Sequence, residues 1–266
     1  MLKIVVLGAS GRMGQAVLRC VKESEDIQIV GAVTERGDAA IGCDVGEICG
    51  VGPLNIALTD DCERALSSAQ VAVDFTLPSA TNENVRACVA TDTALVIGTT
   101  GLKQKEIEIL KSGATKIPLL YGRNMSVGMN VFMDLVSRAA KVLDVDYDIE
   151  ITEAHHRRKV DSPSGTAIAL GELIAETRGC ELDDVAVYER HGHIGERTPG
   201  SIGFSVIRAG NIVGDHTVLF GGPEESIELT HRAVDRMTFA HGAVRAAKWL
   251  VGRKVGLYSM ADVLGL

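Results

Sequence analysis

The chain has 266 residues, 46% of them hydrophobic and 23% charged, with a formal net charge of -8; this is globular composition, with room for two modest domains or one large one. An acidic balance with 4% aromatic residues argues against nucleic acid, whose binders carry basic faces and stacking platforms, and no stretch approaches the roughly 20 apolar residues of a membrane span. The six cysteines show no C-x-x-C pair and no zinc-ligand spacing, so buried thiols are expected, with no metal, and an apolar run after Met1 too short for a signal segment points to the cytoplasm.

Leu2 to Leu7 is apolar but for Lys3, with an unbroken run over 4–7, as a buried parallel strand should be. Glycines follow, and then "RMGQAVLRCVKES" sets Met13, Val17 and Val21 at helical spacing. Residues 27–33 read as a second strand. Further strands near 71–75, 94–97 and 117–120 alternate with helices over 80–90 and 103–111. Such alternation predicts an α/β fold, an open doubly wound parallel sheet with right-handed crossovers.

After "YGRNMSVGMN" the pattern changes, which places a boundary near 124–128. A helix over 131–143 leads to a strand at 148–153, a basic loop, and a helix over 166–177. The β-rich stretches 202–208, 212–220 and 226–231 are joined by short turns and predict a mostly antiparallel sheet. Helical spacing returns only in "FAHGAVRAAKWLVG" near the C-terminus.

"GASGRMG" at 8–14 lies between the first strand and the first helix, and Glu35 stands 21 residues beyond Gly14 at the end of the second strand. Glycines there let backbone amides approach a pyrophosphate at a helix N-terminus, and the acid can accept from a ribose, as in NAD binding. Arg12 and Arg36 are guanidiniums that can pair with the 2′-phosphate of NADP instead, so the choice between the two cofactors stays open. The bland reading makes Glu35 and Arg36 a solvated pair at a strand end; the strand–glycine–helix context favours dinucleotide binding. "DFTLPSAT" and "GTTG" each follow a strand, at the sheet edge where ligands of such folds bind.

In "EAHHRRKVDSPSGTA", 153–167, two imidazoles, two guanidiniums and an ammonium fall within five positions on an acidic chain. Like charges this close repel unless something negative sits among them. Adjacent His155 and His156 point to opposite sides of an extended chain, which argues against a shared metal. Ser164 is a plausible N-cap, and the amides of Gly165 and Thr166 would open a helix, a second place for an anion. The combination suits a carboxylate or dicarboxylate ligand.

Those segments, with "VDFTLPSAT", "VIGTTG", "GFSVIRAGNIVGDHTVLF" and "RMTFAHGAV" in order, resemble the 4-hydroxy-tetrahydrodipicolinate reductases of lysine biosynthesis over essentially the whole chain. The 153–167 segment is the most specific of them. The resemblance implies a Rossmann-type dinucleotide-binding domain of residues 1–126 completed by 237–266. It also implies a central α+β domain, 127–236, with a mostly antiparallel or mixed sheet, which binds substrate and builds a homotetramer.

It further implies NADH or NADPH as cofactor, His155 as acid–base residue and Lys159 as proton donor. His156, Gly165 and Thr166 would hold the carboxylates of a small dicarboxylate substrate. Gly8, Ala9, Ser10, Gly11, Arg12 and Met13 would line the cofactor site, with Glu35 and Arg36 beside them. Gly98, Thr99 and Thr100 would join these, as would Gly122, Arg123, Asn124 and Met125. A histidine or a lysine can each supply the proton that traps the reduced centre, and which one does so stays open. The alternatives are another small-carboxylate dehydrogenase and a nicotinamide-sensing protein without turnover. A phosphorylating semialdehyde dehydrogenase needs a cysteine nucleophile, and none lies in a loop beside the basic segment. A sensor has no need of His155 and Lys159 beside a carboxylate site.

Overall fold

The computed structural model describes residues 1–266 and divides them into two units, Met1–Val127 with Arg236–Leu266, and Gly128–Asp235. The first is built around β1 (Leu2–Leu7), whose alternate residues serve different layers: Ile4 and Val6 join one buried cluster, Val5 and Leu7 another. A strand covered on both faces can be apolar throughout, which is why this run shows no alternation. Around it lie α1 (Arg12–Lys22), β2 (Ile27–Val33), α2 (Val45–Cys49), β3 (Leu58–Thr59), α3 (Cys62–Leu66), β4 (Val71–Asp74), α4 (Thr81–Ala90), β5 (Ala94–Ile97), α5 (Gln104–Gly113) and β6 (Pro118–Tyr121). The C-terminal segment adds α9 (Met237–Leu250), β12 (Gly256–Tyr258) and α10 (Met260–Leu264).

All pairings in this seven-stranded sheet are parallel, in the order β12-β6-β5-β4-β1-β2-β3. The chain winds outward in both directions from β1, whose neighbours are β2 and β4, so a topological switch point lies there. Helices α1, α2, α9 and α10 cover one face and α3, α4 and α5 the other. The short elements β3, β12, α2, α3 and α10 have no counterpart in the sequence reading, because two to five residues hold too little of a period to register.

Two glycines are fixed by close backbone approach. A methyl group at Gly14 would collide with the carbonyl of Gly8, and one at Gly242, inside α9, with the carbonyl of Met125. The first lets α1 start directly under the β1 turn; the second lets α9 lie against the chain that follows β6.

The second unit holds α6 (Val127–Val142), β7 (Asp148–His155), α7 (Gly165–Arg178), α8 (Leu182–Val185), β8 (Ala186–Val187), β9 (Ile202–Arg208), β10 (Gly214–Gly221) and β11 (Ser226–Ala233). Its sheet runs β11-β10-β7-β9-β8 and is mixed: β10 pairs antiparallel with β7 and β11, while β7–β9 and β8–β9 are parallel. The sheet is thus mixed, one of the two arrangements expected, because α7 lies between β7 and β9 in sequence and supplies the crossover that their parallel pairing requires. One face is buried, where Ile149, Ile151, Ile202, Phe204, Val218 and Phe220 meet Phe132 and Val136 of α6 and Leu170 and Ile174 of α7.

Gly242 puts two local rules in competition. Alanine favours a helix interior by about 1 kcal/mol over glycine, whereas overpacking a filled site costs about 1–3 kcal/mol. With a backbone carbonyl as the obstacle, the clash should dominate. Gly242→Ala is expected to lower the urea midpoint with an unchanged m-value; a raised midpoint would refute this account of α9 packing.

Candidate active site

In the first unit the predicted cofactor residues gather at the carboxyl edge of the parallel sheet. Gly8 to Met13 follow β1, Glu35 and Arg36 follow β2, Gly98 to Thr100 follow β5, and Gly122 to Met125 follow β6. Gly8 has φ +78, and its amide and that of Ala9 donate to the carbonyl of Val33, both at 2.9 Å. This tight turn delivers Gly11 as the N-cap of α1, with no side chain capping the helix and no acidic residue in its first turn. Bare amides at the positive end of a helix suit a phosphate, so the residues present fit a dinucleotide pyrophosphate.

Ser10 Oγ lies 2.8 Å from Thr34 Oγ1, which donates to Asp38 Oδ2 at 2.7 Å. That chain ties the loop after β2 to the glycine turn and leaves Glu35 and Arg36 exposed. Hydrogen bonds from the Ala40 amide and then Thr34 and Ser10 hold the Asp38 carboxyl below its usual range.

Beneath the same edge sits Asp74, fully buried. Its carboxylate accepts from the Thr76 amide (2.8 Å), the hydroxyls of Thr76 (2.7 Å) and Thr99 (3.4 Å), and the Asn84 amide (2.9 Å). Burial pushes its pKa up against these bonds. Asp74 thereby joins the loop after β4 to the loop after β5. Ala9 and Met125 are almost wholly buried, so they present main chain rather than side chain at this edge. Gly98 has the Phe75 ring where a side chain would begin. Asn124 Oδ1 accepts from the Ser126 amide at 2.9 Å, shaping the loop after β6.

In the second unit, His155 is the last residue of β7 rather than part of the basic loop. The period of two puts Ile149, Ile151, Glu153 and His155 on one face, so an apolar stripe turns polar at the strand's end. Glu153 is 1% exposed. Its Oε2 lies 2.7 Å from His155 Nδ1 and accepts from Arg208 Nη1 at 2.7 Å; its Oε1 accepts from Arg208 Nη2 at 2.7 Å and the Ser164 amide at 2.9 Å. Burial works to raise this carboxyl, but the Arg208 bonds, followed by those of His155 and Ser164, outweigh it and hold the pKa below the usual range.

Beyond the strand, the Lys159 amide donates to the His156 carbonyl (3.0 Å), and Lys159 Nζ pairs with Asp161 Oδ2 at 2.8 Å. Arg157 and Arg158 are exposed. Ser164 caps α7, its hydroxyl accepting from the Ala167 amide at 3.1 Å. The amides of Gly165 and Thr166, first in the helix, have no intrahelical acceptor, and beyond its chain neighbours and its own helix backbone nothing lies within 4 Å of the place a Gly165 side chain would begin. The structure thus places His155 at the end of β7, His156 and Lys159 in the connection that follows, and Gly165 and Thr166 at the start of α7, with Glu153 linking His155 to the Ser164 amide just before that helix. The negative charge that the cationic run demanded is partly internal, supplied by Glu153 and Asp161.

The sequence reading passed over Glu153, Arg208 and His216. His216 of β10 is paired in register with Glu153 and is 3% exposed; its Nε2 lies 3.0 Å from Ser164 Oγ, and its ring meets that of His155 edge-on at 5.2 Å. Burial, then the nearby His155, lower its pKa to about 3. An acid two positions before a histidine on a strand was a signal within reach, since both must share a face. Arg208 and His216 come from distant strands, and only pairing registers reveal them.

Models of the dihydrodipicolinate reductase family match the chain twice, the N-terminal model over residues 2–125 and the C-terminal model over residues 128–264. The chain is 52% identical over 264 residues to the 4-hydroxy-tetrahydrodipicolinate reductase of Alkalilimnicola ehrlichii, covering 99% of each. It is 49% identical over 265 residues to that of Nitrosospira multiformis, covering 100% of this chain and 98% of the relative. In fold it is similar to a dipicolinate-bound dihydrodipicolinate reductase from a Paenisporosarcina species, with a TM-score of 0.77 at 22% identity and 98% of both chains covered.

The buried pair Glu153 and His216 sets an acid limit on stability. The pKa of His216 is depressed from 6.5 to about 3, so the unfolded chain binds the proton more readily. The stability gained by keeping it neutral is complete above pH 6.5 and is lost as pH falls toward about 3. Glu153 adds a contribution present above about pH 4.3 and lost through its lowered folded value. His216→Gln, which keeps a polar partner for Ser164, should flatten the fall in unfolding free energy between pH 6 and 4, where a full proton corresponds to about 1.4 kcal/mol per pH unit. Identical slopes for variant and parent would overturn this.

Proposed function

The chain belongs to the dihydrodipicolinate reductase family, and from that premise we propose that it reduces 4-hydroxy-tetrahydrodipicolinate to tetrahydrodipicolinate in the diaminopimelate route of lysine biosynthesis. It is an NAD(P)H-dependent oxidoreductase. The observation that carries the reading is the Glu153 carboxylate, which binds both His155 Nδ1 and the Ser164 amide and so ties the imidazole to the N-terminus of α7.

The bound nicotinamide supplies a hydride. In this reading His155 and Lys159 hold the proton that the reduced, electron-rich substrate carbon must receive. Lys159 is kept in place by Asp161 at 2.8 Å, and His155 by Glu153. His156 and the amides of Gly165 and Thr166 bind carboxylate oxygens, for which a helix N-terminus is suited. The glycine turn of Gly8, Ala9, Ser10 and Gly11, with Arg12 and Met13, receives the pyrophosphate, while Glu35 and Arg36 offer an acceptor and a guanidinium to the adenosine ribose. Gly98, Thr99, Thr100, Gly122, Arg123, Asn124 and Met125 line the remaining edge.

Assembly as a homotetramer belongs to the same proposal. It is supported by the second face of the β11-β10-β7-β9-β8 sheet, which no helix of its own unit covers and which carries the exposed Ile207 and the partly buried Leu219. A cytoplasmic site of action is supported by six cysteines that are all free. No helix is long and apolar enough to cross a membrane.

The activity is tested by condensing aspartate semialdehyde with pyruvate through the preceding synthase and following nicotinamide oxidation by absorbance. The parent should turn over. His155→Gln and Lys159→Ala should each lose about 10²–10⁴-fold in rate while keeping the melting temperature and cofactor binding. Unfolding, or loss of cofactor binding, would make these residues structural instead.

Cofactor choice has its own measurement. If Arg36 meets a 2′-phosphate, Arg36→Ala should weaken NADPH by about 1–3 kcal/mol, the range for a charge-assisted bond, and leave NADH nearly unaffected. Equal losses for the two would remove Arg36 from that role.

A further inference from the structure

All four hydrogen-bond contacts of Glu153 are directed. Oε1 is taken by Arg208 Nη2 and the Ser164 amide, and Oε2 by Arg208 Nη1 and His155 Nδ1. An ionised carboxylate only accepts, so the proton of a neutral His155 ring sits on Nδ1 and leaves Nε2 bare. The surroundings of Nε2 agree. It lies beside Gly214, where a side chain's first carbon would come within 3.0 Å of it; glycine keeps that edge of the ring clear. His216 meets the ring edge-on at 5.2 Å, limiting its rotation.

We propose that Glu153 is a positioning residue for the reductase reaction: it fixes His155 in the Nδ1–H tautomer, so that Nε2 is the nitrogen that exchanges a proton with substrate. Arg208 and the Ser164 amide hold Glu153 in that orientation. This rests on the reading of His155 as a proton-handling residue. Because the Ser164 amide that binds Glu153 directly precedes Gly165, one carboxylate sets both the imidazole and the start of the carboxylate-binding helix. A purely structural ion pair would need only Arg208. The bond to His155 Nδ1 is what gives the pair a catalytic consequence.

The test uses the full chain with histidine labelled in nitrogen-15, the His155 signals being assigned by comparison with His155→Gln. In the parent, Nδ1 should carry the proton and Nε2 should not. Glu153→Gln removes the charge and offers an amide that can donate to Nδ1, but it leaves the Arg208 guanidinium buried without its counter-ion. The double variant E153Q/R208Q removes both charges together and separates folding from chemistry. In each folded variant the tautomer should shift toward Nε2–H. The kcat should fall by about 10–10²-fold, part of what a general acid contributes, with KM near the parent value. A parent spectrum with the proton on Nε2 overturns the inference, even where both variants fail to fold. So does a folded double variant that keeps the parent kcat, or one whose loss lies wholly in KM. Absence of turnover in the parent would overturn the functional reading instead, a result distinct from these.

Discussion

The bidentate pairing of Arg208 with Glu153 joins parts of the chain that are distant in sequence. Glu153 belongs to β7, Arg208 ends β9, and Ser164, which binds the same carboxylate, caps α7. A charge sealed from water is costly unless its partners saturate it, and here both oxygens are saturated. Removing one side of such a buried pair typically costs about 3–5 kcal/mol. The arrangement of the β7–α7 connection is therefore over-determined, which suits a side chain that must hold one orientation. Glu153 supplies the local anion against which His155 is set, while Asp161 does the same for Lys159.

The first unit obeys a different constraint, the approach of backbone to backbone. Gly14 and Gly242 exist because carbonyl oxygens occupy the space where side chains would begin. The loops at the sheet edge are held by polar networks rather than by bulk: Ser10–Thr34–Asp38 after β2, and Asp74 with Thr76, Asn84 and Thr99 between β4 and β5. Each anchors its loop from below and leaves the upper surface free. That division suits a site that must bind a long, flexible cofactor in one conformation.

Much of this was legible in the sequence, and the reasons are physical. Strands buried on both faces carry apolar runs, and β1, β4 and β5 were visible through the runs at 4–7, 71–73 and 94–97. The glycine turn was readable because only glycine tolerates the φ of Gly8 without strain. Which strands of the mixed second sheet run parallel was not legible, since nothing local distinguishes a parallel β9 from an antiparallel one. The cationic run was conspicuous, but its internal counter-charges were not counted: Glu153 and Asp161 lie just outside it in sequence and directly against it in space. Arg208 and His216 were hidden because their meaning depends on register, which distant strands set jointly.

The first unit is discontinuous, and this has a consequence for how the chain is made. Its sheet gains an edge strand, β12, and one of its covering layers gains α9 and α10, only from residues beyond 235. The second unit, by contrast, is contiguous in sequence. During synthesis at about 5–20 residues per second, the N-terminal half must wait on the order of ten seconds for its missing helix. Through that interval the apolar surface meant for α9 is bare on the nascent chain, while the inserted unit already has everything it needs to fold. The later-coded unit can therefore complete its fold first, while the earlier-coded one waits for its own tail.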